Sequence, residues 1–167
     1  MGFTYARLVL QHLQAGGKFM KYLVIALAMG SALLSTFALA QPAEKPLAIR
    51  ADDPALAWGP CPPVFPGACT IAVLHGNPAR PNADVFLRVG PGYVLPPHLH
   101  TSAERITLVS GQLEVQYKGN PVARLDPGNY AFGPAGMPHK GRCLSKTPCT
   151  LFIAFETPVD AQAVPNF

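Results

Sequence analysis

Proline and glycine recur so often along this chain that they leave little room for a long helix. There are 19 prolines and 15 glycines in 167 residues. Proline removes a backbone donor and clashes with the preceding helical turn, and glycine disfavours a helix interior. The apolar runs between them are short: 70–75, 84–89, 93–100, 104–110, 112–118, 121–125, 129–133 and 150–155. They are rich in β-branched and aromatic residues and often alternate, and none holds a 3.6-residue period. Eight short strands punctuated in this way predict an all-β sandwich or jelly-roll barrel. Ser110-Gly111-Gln112 reads as a tight hairpin, after which Leu113, Val115 and Tyr117 share the inward face. Apolar residues at 49% and charged residues at 13% exclude an intrinsically disordered chain.

The first forty residues differ in composition from the rest. Lys18 and Lys21 precede the uncharged stretch 22–40, which ends in Ala38-Leu39-Ala40. A basic start, an apolar run and a small-x-small end predict a signal region over 1–40, cleaved after Ala40, with Met20 as the true start. A membrane anchor is the alternative for so long an apolar run. Cleavage predicts a periplasmic or secreted protein with no stable membrane insertion. It removes Arg7, Lys18 and Lys21 and no acidic residue, leaving 10 Lys+Arg against 9 Asp+Glu. That balance, with no basic stripe, gives no support to nucleic-acid binding.

Residues 41–68 carry seven prolines and read as an extended N-terminal arm. The folded domain is expected over 69–160, followed by a tail at 161–167. All four cysteines lie beyond residue 40, an even number that suits disulfides in an oxidising compartment. Four cysteines allow three connectivities. Cys61–Cys69 and Cys143–Cys149 are the expected pairs, each closing a short loop with turn residues. Thiol metal ligation is the alternative, although neither spacing is C-x2-C.

The chemistry concentrates between Gly92 and Gly111. His98 and His100 are two apart, so on a strand they face the same side. Glu104 shares their parity if the chain stays extended through 101–103. His139, after a strand-like run and a Gly/Pro turn, is a fourth candidate, from another strand facing the same cavity. Three imidazoles and a carboxylate suit a divalent first-row metal. His75 fits no such pattern and reads as an ordinary polar residue. Arg88 is a candidate anion clamp only if it faces inward, and Val85, Leu87 and Val89 form the better inward set.

These residues form two ordered blocks. Gly92-x5-His98-x-His100-x3-Glu104-x6-Gly111 resembles the first motif of the cupin family, and Gly128-x5-Pro134-x-Gly136-x2-His139 resembles the second. Cys143 stands where the second motif often has an asparagine. The resemblance implies an all-β, cupin-type jelly-roll barrel of the RmlC-like kind, here behind a signal peptide and a Pro-rich arm. It further implies one divalent metal (iron, manganese, nickel, copper, cobalt or zinc) held by His98, His100, Glu104 and His139. Family members are commonly dimeric, so it also implies a possible homodimer.

Three functions fit this reading. The first is an exported metal-dependent enzyme acting on a small organic molecule, dioxygenase-like in its most family-typical form. The second is a metal-dependent isomerase or decarboxylase, which needs an acid or base that the two motifs do not supply. The third is a non-catalytic periplasmic cupin that captures a small ligand or a metal ion. The fold alone does not choose among them.

Overall fold

The computed structural model describes residues 44–167, and the expected signal region and its cleavage point lie outside them. Residues 47–167 form one compact unit built entirely of β-structure. The strands are β1 Gly59–Pro60, β2 Cys69–His75, β3 Ala83–Val89, β4 Val94–Leu99, β5 Glu104–Ser110 and β6 Leu113–Tyr117. They continue with β7 Ala123–Leu125, β8 Tyr130–Gly133, β9 His139–Cys143, β10 Cys149–Phe155 and β11 Gln162–Ala163. They make two antiparallel sheets, ordered β1-β2-β3-β10-β5-β8 and β11-β4-β9-β6-β7. No helix among the described residues is long and apolar enough to cross a membrane.

The core lies between the two sheets. Alternate residues of β3 (Val85, Leu87, Val89), β5 (Ile106, Leu108) and β10 (Leu151, Ile153, Phe155) meet Leu95, Leu113, Val115, Leu125 and Cys143 of the other sheet. This is the period-2 pattern of strands with one face on a core. Ser110-Gly111-Gln112, read from sequence as a tight hairpin, instead carries the chain from one sheet to the other, since β5 pairs with β10 and β8 while β6 pairs with β9 and β7. Gly111 turns there with a φ of 86°, and a Cβ would sit 2.8 Å from Cys149 Sγ. Two disulfides, Cys61–Cys69 and Cys143–Cys149, account for all four cysteines.

Both ends of the unit are built into it. In the arm, β1 pairs with β2, and Phe65 is buried in the core. Arg88 points away from the core and clamps the arm from outside: its guanidinium lies 4.0 Å from the Trp58 ring and donates to the Ala51 carbonyl at 2.6 Å. At the other end, β11 adds to the edge of the second sheet, with Ala163 opposite His98. Residues 161–167, read from sequence as a tail, therefore contribute a strand beside the histidine pair.

Candidate metal centre

The path of the chain explains why the four candidate residues meet. β4 contains Pro96 and Pro97, which have no N–H to give to a ladder. The β4–β9 register shifts between Leu95 and His98, three residues on β4 spanning two on β9. This bulge turns both Leu95 and His98 inward, where strict alternation would set them on opposite faces. His100 follows the end of β4 and is also buried.

Glu104 reaches the cluster by a different route from the one the parity argument assumed. The chain bends at Thr101–Ser102 and crosses to the other sheet, so Glu104 opens β5 and does not continue the histidine strand. Ser102 holds that corner. Its hydroxyl donates to the Ala103 carbonyl and accepts from the backbone N–H groups of Glu156 and Thr157. His139 opens β9, directly opposite His98, behind a turn in which Gly136 N–H donates to the His100 carbonyl.

The side-chain nitrogens of His98, His100 and His139 lie within 4.8 Å of one another, and all three residues are buried. Glu104 is 2% exposed. Its Oε1 stands 3.1 Å from His139 Nε2, and its Oε2 stands 3.5 Å from His100 Nε2. Each ring is oriented from behind by a backbone carbonyl. Nδ1 of His98 meets Pro96 O at 2.7 Å, Nδ1 of His100 meets Asp160 O, and Nδ1 of His139 meets Met137 O at 3.1 Å. A carbonyl only accepts, so each Nδ1 carries a hydrogen. In the neutral ring Nε2 is then a bare lone pair facing the cluster. Outer contacts of this kind typically orient metal-binding histidines.

The electrostatics show what the cluster lacks. Glu104 Oε1 is buried, and the polar neighbour within reach of it is His139 Nε2 at 3.1 Å, which can donate to it only when that ring is protonated. Burial works to raise the Glu104 carboxyl, but the closeness and charge of His139, then of His100 and His98, outweigh it and hold the group below its usual value. Burial works to lower His139, and Glu104 beside it raises it instead. Burial and the charge of His139 push His98 down to about 3. Three Nε2 atoms and a buried carboxylate converge, and in the metal-free protein a proton on His139 beside Glu104 meets part of their need for positive charge. A divalent cation fits that donor set.

The cluster opens onto a narrow chamber of about 50 Å³ inside the barrel, walled largely by apolar side chains such as Leu95, Ile106 and Ile153. Pro62 and Phe65 from the arm also line it, as do Val159–Ala161 at the C-terminal boundary of the expected domain. Phe65 packs edge-on against His98 with ring centroids 4.6 Å apart.

Sequence reasoning missed two participants. Asp160 supplies the carbonyl for His100, a backbone contribution with no side-chain signal. Tyr117 packs 5.2 Å from the His139 ring, and its buried hydroxyl has no hydrogen-bond partner. Burial, followed by the negative charge of Glu104, raises that phenol well above its ordinary value, so it stays protonated. The inward face of β6 was the signal that could have found it. Among the other candidates, His75 is exposed at the end of β2 and outside the cluster.

Comparison with known proteins agrees with this fold. The family profile described as Cupin domain matches residues 85–155. The dimethylsulfoniopropionate lyase DddQ of Ruegeria pomeroyi is 31% identical over 77 residues, which is 45% of this chain and 38% of that protein. The chain thus matches well under half the length of this relative. The crystal structure of DddQ from the same organism superposes with a TM-score of 0.57 at 21% identity, covering 65% of this chain and 61% of that one. An RmlC-like cupin from Shewanella frigidimarina superposes with a TM-score of 0.52 at 20% identity, covering 63% and 86%. At these identities the superpositions speak for the fold alone. The matched profile identifies residues 85–155 as a cupin domain, and the two-sheet barrel and these neighbours show the same fold.

Proposed function

We propose that this protein is an exported metal-dependent enzyme acting on a small organic molecule. Its ion is one divalent first-row metal, held by Nε2 of His98, His100 and His139 and by the Glu104 carboxylate. The observation that carries this reading is the convergence of three buried histidines, whose Nδ1 hydrogens are already committed to carbonyls, on one another and on the buried Glu104 carboxylate. An ion bound there supplies Lewis-acid polarisation of a substrate oxygen. The protein's own part is to orient and to exclude water. The three carbonyls fix the rings, Glu104 offsets the ion's charge, and the apolar chamber keeps bulk solvent away. The chamber's size favours a substrate whose reacting end is only a few heavy atoms.

A lyase reading is favoured over a dioxygen-dependent one by two observations. The curated relative is a lyase, and Tyr117 offers an unpartnered hydroxyl beside the cluster. Tyr117 answers the lack of a spare acid in the two motifs, because a protonated phenol there can donate a hydrogen bond to a bound substrate. Dimethylsulfoniopropionate is therefore the first substrate to assay, followed by small carboxylic acids and dicarbonyls. Product under strict anaerobiosis with the metal-loaded protein supports the lyase reading. Oxygen uptake supports the oxygenase reading. A ligand-dependent rise in melting temperature with no product from any of them, under any metal, contradicts catalysis and leaves a binding protein. The two disulfides support an oxidising compartment, in keeping with export.

A further inference from the structure

We propose that Gly133 is a positioning residue of the metal centre: its missing side chain is the space in which the Glu104 carboxylate lies. Gly133 ends β8 and stands opposite Glu104 in the β5–β8 ladder. A Cβ at this position would sit 2.6 Å from Glu104 Oε1, 2.7 Å from its Cγ and 3.1 Å from its Cδ. These are the three nearest atoms, and all belong to Glu104. The backbone does not require glycine here, since Gly133 is absent from the positive-φ positions that include Gly128 and Gly136. The residue is small for the sake of space.

The consequence is specific to the cluster. Glu104 is flanked across the sheet by Phe155 on β10 and Gly133 on β8. Phe155 is buried and fills its side. The carboxylate therefore leans over Gly133, and that pose carries Oε1 to within 3.1 Å of His139 Nε2. A methyl group at 133 displaces the carboxylate, because a buried side chain walled by core residues has few other rotamers. The three histidines keep their carbonyl contacts, so the change removes one oxygen donor and spares the nitrogen donors.

This inference rests on the metal reading above, and the experiment separates the two. The wild type, Gly133→Ala, Glu104→Ala and the double variant are compared by Co²⁺ affinity and visible spectrum, and by melting of the metal-free proteins. Gly133→Ala is expected to weaken Co²⁺ binding about 10- to 100-fold, the range for lost support of a ligand, and to alter the cobalt spectrum. In the Glu104→Ala background, where the carboxylate is gone, the same change is expected to leave affinity, spectrum and melting temperature unaltered. Wild-type affinity and spectrum in Gly133→Ala overturn the proposal. So does an equal melting penalty in both backgrounds, which marks a general backbone effect. If Gly133→Ala does not fold, folding of the double variant supports the proposal and its failure overturns it. If the wild type takes up no Co²⁺, the metal reading falls, and the melting cycle alone still decides whether glycine makes room for Glu104.

Discussion

His98 shows how the surroundings of one residue suit it to the proposed ligation. Its ring is buried, its Nδ1 is committed to Pro96 O, and its pKa is pushed down to about 3. It is therefore neutral and available across the physiological range. In the metal-free protein this has a definite sign. Between pH 6.5 and about 3 the unfolded chain takes up a proton at His98 that the folded chain refuses, so stability falls as pH is lowered. His139 acts in the opposite sense. Its raised value contributes stability that is complete below pH 6.5 and is lost as pH rises through its folded value. Melting of the metal-free protein should thus decline from pH 6.5 towards pH 4, and His98→Gln should flatten that decline. A flat profile in the parent contradicts the assignment. With metal, His98→Ala should cost more than about 100-fold in affinity, beyond what loss of an outer partner costs, measured by competition with a chelating dye.

At the scale of elements, the C-terminal segment matters more than its position suggests. The Asp160 carbonyl orients His100, and β11 pairs with β4 at His98 and Leu99. A chain stopped after residue 158 should lose about 10- to 100-fold in metal affinity. Asp160→Ala keeps the carbonyl and should change affinity only a few-fold. Equal losses in the two variants, read by the same titration, contradict the orienting role. This segment also shows where the sequence stops being legible. The eight apolar runs correspond to β2–β8 and β10, because alternating Val, Ile, Leu and Phe display their own period. β9 reads His139-Lys140-Gly141-Arg142-Cys143, and its inward positions are a candidate ligand, a glycine and a disulfide cysteine, so no apolar alternation marks it as a strand. The four-residue cluster is legible in its motif spacing, yet the corner at Ser102 that brings Glu104 from the other sheet is not. Neither are the three carbonyls behind the histidines, because backbone acceptors leave no mark in residue identity.

At the scale of the whole molecule, the arm and the C-terminal segment close the barrel over the cluster. Pro62 and Phe65 sit on a loop pinned by Cys61–Cys69, and they line the chamber together with Val159–Ala161. Breaking that crosslink with Cys61→Ser/Cys69→Ser removes a loop constraint worth about 2–4 kcal/mol in typical cases. It should lower the melting temperature and speed metal exchange by loosening the Phe65 contact with His98. An unchanged exchange rate contradicts the closing role of the loop. The same closure makes metal and fold interdependent. An ion that binds only the folded barrel stabilises it by about 2.7 kcal/mol at a free concentration a hundredfold above Kd. The most direct test of the central claim is elemental analysis of protein purified without chelator, wild type beside a folded His98→Ala/His139→Ala variant. The account predicts close to one equivalent of a single first-row divalent metal in the wild type and none in the variant. A wild type that holds no metal, even after reconstitution with iron, manganese, nickel, copper, cobalt and zinc in turn, would contradict it.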